Sequence, residues 1–150
     1  FNPPLEKSAS NKNKEPPSIA IIDDREEVIK GLKSLLSERT GIPDKQIIGF
    51  TSSAQFFKAF HNNDQRVAES KLYVVDFDLG EITLNGAQLI KELNIYERSI
   101  IFTSMEENAY KTLKALGLSV PIFSKLDLDS FLKHLNFLYP GFDQHQEKVQ

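Results

Sequence analysis

The residues of this chain that could do chemistry sit where short apolar runs stop. Ile19 to Ile22 ends on Asp23 and Asp24, and Leu72 to Val75 ends on Asp76, with Asp78 two places on. Ser99 to Phe102 ends on Thr103 and Ser104, and Val120 to Phe123 stops just before Lys125. If these runs lie side by side, acidic positions, a hydroxyl and an ammonium converge on one edge. Carboxylates held that close repel and raise one another's pKa unless a cation sits among them. A hard divalent ion with oxygen ligands, usually Mg2+, suits such a set. Metal, lysine and hydroxyl together are what a phosphoryl group needs, because its transfer depends on in-line positioning and on neutralising charge at the equatorial oxygens. The pattern reads as phosphoryl chemistry at a carboxylate.

Taken singly, each of these residues has an ordinary explanation. Asp23-Asp24 and Asp76 could cap helices, Thr103 could be a structural cap, and Lys125 a solvated side chain. The weight rests on the joint pattern at four strand ends. Elsewhere Phe56, Phe57 and Phe60 are core by default. His61, His134 and His145 show no metal-ligand spacing and read as surface residues.

The elements that must hold these residues alternate. Val28, Ile29, Leu32, Leu35 and Leu36 form one stripe of an amphipathic helix that ends before Gly41-Ile42-Pro43. Ile47 to Phe50 is a second strand, and Ala54, Phe57 and Phe60 recur at helical spacing behind the capping candidates Ser52 and Ser53. Leu89, Ile90 and Leu93 form a short helical face. Ala109, Tyr110, Leu113 and Leu116 form another, and Leu128, Phe131, Leu132, Leu135 and Leu138 a last one. Consecutive β-α units with nearly all-apolar strands predict an α/β fold, a doubly wound five-stranded parallel sheet covered by helices on both faces. Ligands of such sheets bind outside the carboxyl ends of the strands.

The chain of 150 residues is 40% hydrophobic, enough for one domain with one core. Its net charge of -3 provides no basic field for nucleic acid. The absence of cysteine removes disulfides, thiolate nucleophiles and Cys-based zinc sites, and agrees with a reducing cytoplasm. No apolar run reaches bilayer-spanning length and no secretory signal pattern opens the chain, so no membrane contact is expected of it. Residues 1–17, rich in proline, lysine, asparagine and serine, read as a linker or the end of a preceding domain. Residues 18–140 read as the folded domain, and 141–150, after the Pro140-Gly141 stop signal, as a tail. A chain that begins on Phe1 reads as an excised or processed piece.

IAIIDD, LYVVDFDLG, IIFTS and IFSK, in that order and strand context, resemble the receiver domains of two-component response regulators over about residues 18–138. The resemblance implies a flavodoxin-like, three-layer α/β/α fold. It implies Asp76 as metal ligand and as the nucleophile that takes a phosphoryl group from a phosphohistidine. The donor would be a histidine kinase or a histidine phosphotransfer protein. It further implies Asp24 as a direct Mg2+ ligand, Asp23 acting through metal-bound water and Asp78 offering its backbone carbonyl. Thr103 would hydrogen-bond one phosphoryl oxygen and Lys125 would pair with another. Activity of the domain itself would not exceed self-phosphorylation and autodephosphorylation. Asn85-Gly86 resembles the turn that closes the loop after the acceptor, with Gly86 expected at positive φ.

The chain also departs from that pattern. HNNDQRVAES looks like an extra surface loop, and Lys125 precedes Leu126 where the family has proline, so a trans bond is expected there. The aromatic switch position falls on Ile122, with Phe123 beside it, and the segment after Asp76 reads Phe77-Asp78-Leu79-Gly80 without the common Met-Pro. VVDFDLG also resembles the D-x-D motif of haloacid-dehalogenase-like phosphatases. That family places its nucleophile on the first strand and uses an acidic pair well beyond the lysine, where this chain has only Asp127 and Asp129. A degenerate receiver that acts only through protein contacts is the third reading. FNPPLE resembles the last strand of a histidine-kinase ATPase domain, which points to a hybrid sensor histidine kinase as parent. The receiver itself would be cytoplasmic even if that parent were membrane-anchored.

Overall fold

The computed structural model describes residues 19–62, 65–80 and 84–138. The linker and tail expected at 1–17 and 141–150 lie outside them. The strands are β1 (Ile19–Ile22), β2 (Ile47–Phe50), β3 (Leu72–Val75), β4 (Ser99–Thr103) and β5 (Ile122–Ser124). The helices are α1 (Glu26–Thr40), α2 (Ser53–His61), α3 (Gln65–Ala68), α4 (Gly86–Leu93), α5 (Glu106–Leu116) and α6 (Leu128–Leu138). The five strands form one parallel sheet in the order β2-β1-β3-β4-β5, the doubly wound arrangement the apolar runs predict.

Every residue of β1, β3 and β4 is buried, as expected of inner strands covered on both faces. Because side chains alternate along a strand, the sheet divides its apolar residues between two layers. Ala20, Ile22, Tyr73, Val75 and Ile101 join Phe56, Val67, Leu89, Ile90 and Leu113 on one side. Ile19, Ile21, Leu72, Val74 and Phe102 join Ile29, Leu32, Leu36, Phe131 and Leu135 on the other. The helices are closed by local chemistry. Ser52 caps α2 by accepting from the Gln55 N–H, and Asn85 with Gln88 forms a capping box on α4. Gly41 and Gly117 end α1 and α5 in the left-handed region. Among the described residues no helix is long and apolar enough to cross a membrane, and no peptide bond is cis, Lys125–Leu126 included.

Several local expectations shift. On α2 the buried residues are Ser53 and Phe56, while Phe57 and Phe60 are half-buried against the same layer and Ala54 is exposed. The helix begins at Ser53, which turns Ala54 to solvent and Phe56 fully inward. Tyr110 is 59% exposed, because Ala109, Leu113 and Leu116 already complete the inward face of α5 and Tyr110 lies a hundred degrees round from Ala109. On α6, Leu128 and Leu138 lie exposed at the ends of a stripe centred on Phe131 and Leu135. Strand β5 starts at Ile122 rather than Val120, since Pro121 has no N–H to give and enters the ladder only by accepting from the Ile101 N–H.

The segment 61–70 is more than a surface loop. It contains α3, whose Val67 is fully buried, and the Tyr73 hydroxyl donates to the Val67 carbonyl at 2.6 Å. The Arg98 guanidinium lies over the Tyr73 ring and donates to the Ser70 and Ala68 carbonyls. One apolar side chain and an arginine fork thus fasten the segment to the sheet.

Gly86 is not at positive φ; among the described residues Gly41, Gly80 and Gly117 are. Its N–H donates to the Phe77 carbonyl at 2.8 Å, and a Cβ there would lie 2.2 Å from the Asp76 carbonyl oxygen and 2.9 Å from its carbon. Glycine is needed at this position so that the start of α4 can lie against the end of β3. Gly86→Ala must therefore move backbone, and it is expected to lower stability by about 1–3 kcal/mol, the usual range for overpacking. Urea unfolding of the metal-free protein checks this, and an unchanged midpoint would refute it.

Candidate functional site

Strand register builds the site. Ile22 lies opposite Val75 and Phe50, and Thr103 opposite Ser124. The ladder then runs one step beyond the strands. Asp23 N–H donates to Phe50, Asp76 N–H to Ile22, and Lys125 N–H to Thr103. The backbones that carry the acids and the lysine are fixed at the carboxyl edge by the sheet itself.

There Asp23 is 2% and Asp76 6% exposed. The Lys125 ammonium lies between them, 2.7 Å from Asp23 Oδ2 and 2.9 Å from Asp76 Oδ2. Asp24 is exposed, and one oxygen from each of Asp23, Asp24 and Asp76 falls within 4.8 Å of the others. The remaining oxygens face backbone donors. Asp23 Oδ1 accepts from the Arg25 N–H at 2.9 Å, and Asp76 Oδ1 more loosely from the Asp78 N–H at 3.4 Å. Burial pushes the Asp23 carboxyl above its ordinary pKa, outweighing the hydrogen bonds from Lys125 and Arg25 that pull it down. For Lys125, burial works against the ammonium, but hydrogen bonds to Asp23 and Asp76 prevail and raise its pKa.

The structure brings together Asp23, Asp24, Asp76 and Lys125, with Thr103 on the neighbouring strand end. Neither aspartate of the pair caps α1, whose first flanking residue, Arg25, has no side-chain cap. Thr103 is fully buried, and its Oγ1 accepts from the Met105 N–H at 3.1 Å, so it orders the turn into α5. A hydroxyl that accepts one bond retains its own O–H to donate. Ser104 is exposed. Asp78 is exposed as well, and its side chain turns back to accept from the Gly80 N–H at 2.9 Å. Sequence reading misses that bond.

Ile122 and Phe123 face opposite layers. Ile122 packs with the cluster of Leu113, Val120 and Ile101. Phe123 packs against Phe131 and against His134, which is half-buried rather than a plain surface residue.

Lys125→Met leaves the buried Asp23 and Asp76 carboxylates without their cation, so Asp23, already raised by burial, should rise further above its value in the unfolded chain. Between the unfolded and folded values of Asp23 the mutant then binds more protons folded than unfolded, and its stability falls as pH rises through that window. Relative to wild type, the loss should be small near pH 4 and reach about 3 kcal/mol at neutral pH, the lower end for breaking a buried pair. Urea unfolding across pH in chelator-treated buffer measures this, and a pH-independent loss would contradict it.

No family model matches the chain, and no curated protein matches it significantly. Solved structures do. The receiver domain of the Francisella response regulator 1452 superposes with a TM-score of 0.59 at 22% identity, covering 83% of this chain and 97% of that one. A two component transcriptional regulator AraC from Clostridium phytofermentans ISDg gives 0.58 at 16% identity, over 87% and 97%. A signal receiver domain of a Luxo repressor protein from Vibrio parahaemolyticus gives 0.54 at 14%, over 90% and 98%. Sheet order, helix placement and these superpositions agree: the chain has the receiver-domain fold of the response regulators.

Proposed function

We propose that this chain is a phosphoacceptor receiver domain of a two-component system, which takes a phosphoryl group from a phosphohistidine onto Asp76. The observation that carries the reading is the Lys125 ammonium bridging buried Asp23 and Asp76 with Asp24 beside them. Three carboxylates face one lysine in that cluster, an excess of negative charge that suits a hard divalent cation. The donor set fits Mg2+, which Asp24 and Asp76 would hold directly, Asp23 through water and Asp78 by its backbone carbonyl. When bound, the ion neutralises charge on the carboxylates and on the phosphoryl oxygens. An oxygen of Asp76 attacks phosphorus, the P–N bond to imidazole breaks, and the bonding pair leaves with the ring nitrogen. Lys125, already 2.9 Å from Asp76, pairs with one phosphoryl oxygen. The remaining O–H of Thr103 serves another. The partner is a histidine kinase or a histidine phosphotransfer protein, and FNPPLE makes a hybrid sensor kinase the proposed parent.

The phosphatase reading draws no support from the site. Its nucleophile belongs on a first strand, whereas Asp76 ends β3, and Asp127 caps α6 by accepting from the Ser130 N–H and hydroxyl. The degenerate reading separates from the proposed one by phosphorylation. Incubation with acetyl phosphate and Mg2+ is expected to add one base-labile phosphoryl group, detected by intact mass, and Asp76→Asn to abolish it. Undiminished labelling of that variant would reassign the acceptor, and an unlabelled wild type would favour a protein-contact module.

Mg2+ should also stabilise the fold at neutral pH, since the unfolded chain has no such site. At about a hundredfold over its Kd the gain is about 2.7 kcal/mol. Thermal melts with Mg2+ and with chelator test this, with Asp24→Asn expected to lose most of the response. A wild-type melting temperature indifferent to Mg2+ would count against a metal site.

A further inference from the structure

Gly80 is the last described residue of the loop that leaves the acceptor strand, and it sits at φ +66, where side chains are strained. A Cβ there would lie 2.6 Å from Asp24 Oδ2 and 3.6 Å from Asp24 Cγ. The loop cannot easily yield. Its neighbour Leu79 is 2% exposed and Phe77 is packed in the same core layer. The Gly80 N–H is also tied to the Asp78 carboxylate at 2.9 Å, and the Asp78 N–H approaches Asp76. Asp24 can yield, because its side chain is exposed and needs only to rotate about χ1.

We propose that Gly80 is a positioning residue for the acid cluster. By carrying no side chain in a turn held by Asp78, it leaves the space in which the Asp24 carboxylate lies beside Asp23 and Asp76. This rests on the phosphoacceptor reading only for its consequence, Mg2+ binding; the packing relation stands without it. A methyl at position 80 turns Asp24 away from the cluster while the sheet and the Lys125 bridge persist. The loop that carries the acceptor thereby controls whether the third carboxylate is in place.

The test uses Gly80→Ala and, because a left-handed alanine costs stability of its own, Gly80→Asn, since asparagine tolerates that conformation. The first readout is the Asp24 χ1 rotamer, from three-bond couplings in chelator-treated buffer. Both variants should populate a rotamer that wild type does not. The second is Mg2+ affinity from titration of the folded domain, expected to fall about 10- to 100-fold, the range for residues that orient metal ligands. In an Asp24→Ala background the same changes at position 80 should leave Mg2+ affinity unaltered, whereas a purely structural role for Gly80 would lower it in both backgrounds. An unchanged Asp24 rotamer in both variants overturns the proposal, as does a rotamer change with undiminished Mg2+ affinity. If the rotamer changes and wild type binds no Mg2+, the positioning relation holds and the phosphoacceptor reading fails.

Discussion

Two carboxylates kept out of water at the ends of adjacent strands, with one ammonium between them, are the constraint on which this structure turns. Asp23 and Asp76 follow β1 and β3, which are hydrogen-bonded neighbours, so parallel strand spacing of about 4.8 Å sets their approach. The compensating charge comes from Lys125, which follows β5. Since β4 lies between β5 and β3, the ammonium must cross a strand end to reach Asp76 at 2.9 Å. Only a long flexible side chain does that, and the strand it crosses ends on Thr103. Burial raises the Asp23 pKa and the lysine bonds oppose that rise, so the site is electrostatically taut before any ligand enters.

Alternation along the strands then limits how a change at this edge can spread. Thr103 and Ile101 share a face of β4, and Ile101 is paired with Ile122. Movement of Thr103 toward a phosphoryl group would act on the layer of Ile122, Met105 and Leu113. Phe123 belongs to the other layer, with Phe131 and His134. Ile122 and Phe123 therefore pack on opposite faces of the sheet. The β-branched side chain at Ile122 has few rotamers, so any coupling on that face would have to run through backbone adjustment of the turn from Thr103 to Met105.

The sheet and the acid site were largely legible because apolar runs and charged residues meet abruptly at strand ends. Ile19–Ile22 and Leu72–Val75 have no polar residue to blur their boundaries, and their final position places the next residue at the carboxyl edge. Where reading failed, the cause was a distant contact or a local backbone limit that composition does not reveal. Val67 appears polar-flanked and dispensable until the Tyr73 hydroxyl and Arg98 are seen to hold its segment. Phe56, Phe57 and Phe60 cannot be ranked without the helix start. Pro121 moved the start of β5 by two residues at an edge where no further strand compensates. Gly86 has the residue type of a left-handed turn but serves close approach instead, and composition does not separate the two uses.

The same distinction bears on the loop after Asp76, which lacks the Met-Pro of the receiver-domain pattern it resembles. A proline holds φ near −65°, whereas Gly80 sits at +66° with its N–H bonded to Asp78, a bond that proline cannot make. The path of this loop thus requires a residue without a ring and without a Cβ at position 80, just as the start of α4 requires one at 86. Between them these two glycines bring the loop against the Asp24 carboxylate on one side and the Asp76 carbonyl on the other. Absence of proline at position 80 is therefore consistent with how closely this loop packs on the Asp24 carboxylate.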